Sequence, residues 1–176
     1  MNRMIVGLSG LIGSGKTTAA KHLIEHHGFV RLRFAGPLKA MMAALGLTEA
    51  ETDGDLKHEP CDLLCGKTPR YAMQTIGTEW GRELIGPDLW IRAWLASVDE
   101  LPPNSRIVAD DVRFPNEAEA IFGLGGKLIR ITRRELGTAP PQNAHISELH
   151  QLPADTEILN NNSIDDLCAR VVGAIF

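Results

Sequence analysis

Met4 to Leu8 is a short apolar run ending in glycine-rich sequence, the pattern of a strand buried on both faces. From Lys16 to His27 the positions Ala20, Leu23, Ile24 and His27 fall at helical spacing, and Gly28 is a natural C-cap. "FVRLRF" (Phe29 to Phe34) alternates apolar and basic residues, as a strand does. Gly36-Pro37 predicts a helix start, with Leu38, Met41, Met42 and Leu45 on one face and Gly46 as its stop. Thr48 to Lys67 is polar and weakly patterned, which predicts a mobile excursion. Thr68-Pro69 opens a helix expected to run to about Leu84. Pro87-Asp88 opens another, with Ile91, Trp94, Leu95 and Val98 facing inward.

The second half repeats the alternation. "RIVADD" (Arg106 to Asp111) reads as a buried strand, Pro115 to Phe122 as a helix and "KLIRITR" (Lys127 to Arg133) as a strand. Arg134 to Leu152 is polar and carries two prolines, so it reads as a loop or lid. "TEILNN" is a last strand. Ser163 with Asp166 predicts a capping box for a final helix using Ile164, Leu167, Val171 and Ile175. Strands separated by helices imply a parallel sheet covered on both faces. There is no internal repeat, and residues 1–176 read as a single α/β domain.

Composition narrows the class. Hydrophobic content of 44% with 23% charged residues describes a globular chain, and no apolar run approaches the roughly 20 residues of a membrane-spanning helix. The first residues pass directly into a glycine loop without an apolar signal region. With three cysteines, this predicts a reducing cytoplasm, the host's if the chain is phage or prophage encoded. A net charge of −4 argues against an extended nucleic-acid surface. Any anionic ligand must be met by a local cluster of Arg and Lys, which suits a small molecule. Monomer and homodimer are both open.

"GLSGLIGSGKTT" (Gly7 to Thr18) carries the sharpest chemistry. Gly10, Gly15, Lys16 and Thr17 satisfy G-x-x-x-x-G-K-[ST], with an apolar strand before and a helical pattern after. Glycines let the backbone curl until several N–H groups point at one anion, and the helix start adds its positive dipole end. Lys16 can reach β- and γ-phosphates, the Thr17 hydroxyl can hold magnesium, and Ser14 or Thr18 can add a donor. The motif identifies a nucleoside triphosphate site without naming a reaction.

A GTPase switch would usually carry an Asn-Lys-x-Asp base-recognition stretch, and "NNNS" after the last strand lacks it. A small-molecule kinase needs a carboxylate at a strand end, cations for the acceptor and a segment that excludes water. Asp110 and Asp111 close "RIVADD", where a Walker-B carboxylate belongs, and which of them faces the metal is open. Arg113 follows on the same rim. Arg130, Arg133 and Arg134 bracket the start of the lid-like segment. Strand alternation forbids Arg133 and Arg134 from both meeting one ligand if the strand persists through them. In "PRYAMQTIGTEWGRELIGPDLWIRAW", Arg70, Gln74 and Thr78 recur every four residues as a polar helical stripe, with Arg82 drifting round from it. Gly77 and Gly81 relieve the surface enough for a planar ligand to approach. Trp80, Trp90 and Trp94 fit core better than base stacking. His58, Cys61 and Cys65 offer only three local metal ligands at an unusual spacing, so incidental thiols are the simpler reading.

The glycine loop, "FAGPLK" (Phe34 to Lys39), "TIGTEWGRELIGPDLW" (Thr75 to Trp90), "DDVRFPNEAEAI" (Asp110 to Ile121) and "HISE" (His145 to Glu148) occur in the order found in phage-type deoxynucleoside monophosphate kinases. The chain resembles that family over nearly its whole length. The resemblance implies a P-loop, adenylate-kinase-like fold: a five-stranded parallel sheet flanked by helices, with a monophosphate-binding insertion at about 36–100 and a lid at about 133–152. It implies γ-phosphate transfer from ATP to a deoxynucleoside monophosphate, with Mg2+ as the metal. Lys16, Arg70, Asp111 and Arg133 are the expected catalytic groups. Gly13, Ser14, Gly15, Lys16, Thr17, Thr18 and Arg134 would contact ATP. Lys39, Arg70, Gln74, Arg82 and Arg113 would bind the acceptor, and Thr17 with Asp110 would hold the metal. Gly36 stands where the family more often has aspartate. His145 and Glu148 match the family without an assigned role. The alternatives on the same scaffold are a dephospho-coenzyme-A or sugar-acid kinase, and from another class a non-catalytic nucleotide-dependent regulator.

Overall fold

The strand-forming runs assemble side by side: β1 (Met4–Ser9), β2 (Phe29–Arg31), β3 (Arg106–Ala109), β4 (Lys127–Thr132) and β5 (Thr156–Leu159). They form a five-stranded sheet in the order β2-β3-β1-β4-β5, with every pairing parallel. The structure is a computed structural model that describes residues 3–134 and 152–176. Most of the expected lid, residues 135–151, therefore lies outside the described residues, as do His145 and Glu148. Among the described residues no helix is long and apolar enough to cross a membrane.

The chain divides into two compact units, one of Met1–Arg33 with Ser97–Phe176 and one of Phe34–Ala96. In the first, β1 is the central strand. Val6 and Leu8 join Val108, Ile129, Ile131 and Ile158 in a buried cluster, covered by α1 (Lys16–His27) and α7 (Ile164–Ile175) through Ala19, Ala20, Leu23, Leu167, Val171 and Ile175. Strand alternation turns Gly7 to the other face, against α6 (Pro115–Gly123). A Cβ on Gly7 would stand 2.5 Å from Ile121 Cδ1. Helices thus cover both faces, as a parallel sheet requires.

Local signals set the element ends. Gly28 takes a left-handed conformation (φ 68) and its N–H bonds the Leu23 carbonyl, closing α1. The Ser163 hydroxyl accepts from the Asp166 N–H at 3.2 Å to start α7, while the Asp166 carboxylate pairs with Arg170 Nε at 2.9 Å. The expected capping box is therefore half formed. β2 is shorter than the "FVRLRF" alternation suggests: the Leu32 N–H still bonds the Val108 carbonyl, and the ladder then ends.

The unit of residues 34–96 is helical. It holds α2 (Gly36–Ala44), α3 (Glu49–Thr52), α4 (Pro69–Thr75) and the start of α5 (Leu89–Glu100). Phe34 and Trp94 stack with ring centroids 4.5 Å apart, both buried. Residues 48–67 are more structured than their polarity suggests. Glu51 accepts from the Thr48 N–H and hydroxyl, both at 2.7 Å, in a capping box. Those bonds, that of the backbone first, hold the Glu51 carboxyl below its usual range. Two 3-10 turns follow, and Cys61 pairs with Lys67 in an antiparallel bridge. The helix begun at Pro69 also changes character. From Ile76 to Ile85 it winds as a π-helix, and the Gly86 N–H bonds the Gly81 carbonyl five residues back.

Candidate functional site

The loop after β1 is shaped by Gly10 (φ 136), Gly13 (φ 82) and Gly15 (φ 109), conformations that L side chains rarely adopt. Gly15 also has no room for a side chain: a Cβ would lie 2.6 Å from Asn160 Nδ2 and 2.9 Å from Leu167 Cδ2. Asn160, just after β5, donates from Nδ2 to the Ser14 carbonyl at 2.8 Å and so ties the loop to the end of β5. Lys16 opens α1 and curls back, its Nζ donating to the Gly10 and Leu11 carbonyls at 2.7 and 2.8 Å. The ammonium is thereby held at the mouth of a backbone cradle, where an anion can be met by both amide dipoles and a full charge. Ser14 is buried with no partner for its hydroxyl among the described residues, Thr17 is exposed and Thr18 is half-buried.

The sheet register levels the other groups with this loop. Gly7 pairs with Ala109, so Asp110 and Asp111 follow at the carboxyl edge beside the end of β1. Asp110 is 4% exposed and accepts from Arg31 Nε and Nη2 at 2.9 and 2.5 Å. Asp111 is half-buried. Arg113 is exposed, and its N–H, with that of Phe114, donates to the buried Glu117 carboxylate at 2.7 and 3.0 Å. Glu117 thus fixes the turn that carries Arg113 into α6. On the far side of β1, Ser9 pairs with Arg130, and Arg130 bonds the Leu152 carbonyl. β4 ends at Thr132, so the alternation that would separate Arg133 from Arg134 does not extend to them. Both are exposed, and the Arg134 N–H donates to Asn161 Oδ1 at 3.0 Å.

The remaining expected groups lie in the unit of residues 34–96. Lys39 of α2 is ion-paired with Asp53. Arg70 and Gln74 on α4, with Thr78 and Arg82 on the π-helical segment, are all half-buried. Arg82 Nη1 donates to the Pro87 carbonyl at 3.1 Å. The planar group against Gly81 is the indole of Trp90, not a ligand: a Cβ on Gly81 would lie 2.6 Å from Trp90 Nε1. Arg31, Asn160 and Glu117 escape sequence reasoning. Arg31 and Asn160 act on partners brought close by the fold, whereas Glu117 acts on N–H groups three and four residues before it, where its position after Phe114 is a local helix-start signal.

Comparison with known proteins bears on what this arrangement serves. The family model described as deoxynucleotide monophosphate kinase matches residues 67–171. A protein of Acanthamoeba polyphaga mimivirus that carries the deoxynucleotide monophosphate kinase name is 33% identical over 186 aligned positions, covering 98% of this chain and 96% of its own. The deoxynucleoside-5'-monophosphate kinase of Escherichia phage T5 is 37% identical over 54 residues, 31% of this chain and 21% of its own. Among solved structures, the Mycobacterium tuberculosis APS kinase CysC in complex with AMPPNP and APS aligns with a TM-score of 0.52 at 14% identity, over 98% of this chain and 97% of that one. TT1252 from Thermus thermophilus aligns over the whole of both chains with a TM-score of 0.51 at 15% identity. These structural likenesses speak to the fold alone. The sequence matches go further, and the chain belongs to the deoxynucleotide monophosphate kinase family, a family of phosphotransferases.

Proposed function

We propose that the chain transfers the γ-phosphate of ATP to a deoxynucleoside monophosphate, giving the diphosphate and ADP. The observation that carries this reading is the Lys16 ammonium held over a loop of three positive-φ glycines, in a chain of this family. Two polyanions must meet in line, and their repulsion is the obstacle. Lys16 offsets charge on the donor, with the loop amides of Gly13 to Thr18. Arg133 and Arg134 are proposed to do the same from the start of the lid. Lys39, Arg70, Gln74, Arg82 and Arg113 are proposed to bind the acceptor, and Asp111 to orient it. The acceptor's phosphate oxygen is already nucleophilic near neutral pH, so no strongly shifted general base is needed.

The residues present fit Mg2+. Thr17 and Asp110 are hard oxygen donors of the kind it takes, and the carboxylate of Asp110 retains lone pairs beyond the two that Arg31 uses. When bound, the ion would supply further neutralisation of phosphate charge. Lys16→Ala tests the reading. It is expected to lower kcat by about 10³-fold, as loss of a transition-state charge partner does, with the far-UV circular dichroism spectrum unchanged. A variant that keeps most of its activity would remove Lys16 from the chemistry and the reading with it.

A further inference from the structure

The π-helical segment gives the proposed acceptor face its geometry. In an α-helix, four residues overshoot a full turn by about 40°, so Arg82, three such steps from Arg70, would stand about 120° away. A π-helix bonds five residues back and takes about 4.4 residues per turn, so four residues undershoot by about 30°. Here α winding ends at Thr75 and π winding runs from Ile76 to Ile85. The overshoot of the first half is undone by the second, and Arg82 returns to within about 20° of Arg70. Arg70, Gln74, Thr78 and Arg82 are all half-buried.

Trp90 packs on this winding. It is 5% exposed, and its indole Nε1 donates to the Gly77 carbonyl at 2.8 Å. The ring lies so close over Gly81 that a Cβ there would stand 2.6, 2.7 and 2.8 Å from Nε1, Cζ2 and Cε2. One glycine accepts the N–H and the other makes room for the ring, one turn of the wide helix apart. Both contacts fall inside the π segment.

We propose that Trp90 is a positioning residue for the acceptor, holding residues 76–85 in π winding so that Arg82 shares a face with Arg70. This rests on the acceptor reading above and adds the orientation of the bound molecule. The Cα atoms of Arg70 and Arg82 are roughly 15 Å apart along the axis, from 1.5 Å per α residue and less per π residue. A guanidinium at each end, with an amide and a hydroxyl between, suits a nucleoside monophosphate lying lengthwise: phosphate at one end, base edge at the other.

The test compares Trp90→Phe, Gly81→Ala, Arg70→Ala, Arg82→Ala and the Trp90→Phe/Arg82→Ala double variant by steady-state kinetics with each of the four deoxynucleoside monophosphates varied in turn and with ATP varied. Trp90→Phe keeps an aromatic ring and deletes the N–H. It is expected to raise the acceptor KM about tenfold while the ATP KM stays within twofold, with an unchanged circular dichroism spectrum. Gly81→Ala keeps the indole but forces it, Nε1 included, off the π segment, and is expected to show the same split. Because Trp90 acts through Arg82, the double variant should raise the acceptor KM little beyond Arg82→Ala alone. If both arginine variants raise the acceptor KM but Trp90→Phe leaves it unchanged, or if the double variant multiplies the two single effects, the role of Trp90 is overturned and the acceptor face stands. If neither arginine variant changes the acceptor KM, the acceptor reading itself is wrong and the inference falls with it.

Discussion

Arg31 grips Asp110 with two parallel hydrogen bonds, Nε to Oδ1 at 2.9 Å and Nη2 to Oδ2 at 2.5 Å, although 79 residues separate them. The sheet register explains the meeting. Arg31 pairs with Val108 across β2 and β3, and Asp110 lies one residue past the end of β3, within reach of the arginine. The carboxylate side chain is 2% exposed and the arginine 34%, so the pair brings a charge to the carboxyl edge of the sheet without leaving it uncompensated.

Removing one partner strands the other. Arg31→Ala is expected to destabilise the fold by about 2–3 kcal/mol, below the range for a wholly buried pair because Arg31 keeps a third of its side chain in water. Arg31→Lys should recover only part of this, since a point charge cannot replace the guanidinium fork. Urea unfolding of the three proteins measures both values. Equal stability of all three would show that the carboxylate does not depend on the arginine.

Asn160 couples β5 to the glycine loop through the Ser14 carbonyl. Asn160→Ala should loosen the loop while β5 stays docked, because the backbone bond from the Asn160 N–H to the Thr132 carbonyl at 2.7 Å persists. The loss of one such bond is about 1 kcal/mol, so the ATP KM should rise about fivefold and the acceptor KM by less than twofold. Matching rises in both constants would place the effect elsewhere.

Gly36 begins α2, where a Cβ would meet nothing within 4 Å among the described residues. Gly36→Asp adds a carboxylate to the positive end of the helix and removes a flexible residue. It should raise stability by about 0.5–1 kcal/mol. A drop in thermal midpoint would show a contact that the open space conceals.

The thiols differ by environment. Burial pushes the Cys168 thiol above its ordinary range, with the Asp165 charge adding to the effect, whereas Cys65 is exposed. A raised pKa means that the reactive thiolate of Cys168 forms only at a pH above that of a free cysteine, about 8.5. With a disulfide reagent at pH 8, Cys65 should react promptly and Cys168 only after unfolding. Prompt reaction of all three cysteines in the native protein would contradict the burial of Cys168.

Much of this was legible because its causes are local. The glycine loop, the Gly28 cap and the strand–helix alternation each depend on residues within a few positions of one another, so type and spacing reveal them. The π-helix was not legible: Arg70, Gln74 and Thr78 at spacings of four suit α winding, and what distinguishes the segment is Trp90 against Gly77 and Gly81. The same contact explains why Gly81 looks, in sequence, like room for a ligand. Residues 48–67 lack an apolar face because caps and turns hold them, Thr48 with Glu51 and Cys61 with Lys67. Arg31 reads as an outward strand residue because its partner is distant in sequence.

The most direct test of phosphoryl transfer to a nucleoside monophosphate is the initial rate of ADP release from ATP with each deoxynucleoside and ribonucleoside monophosphate in turn. ADP release that requires a deoxynucleoside monophosphate and yields one diphosphate per ADP is the predicted result. A rate that stays flat whichever monophosphate is supplied would contradict it.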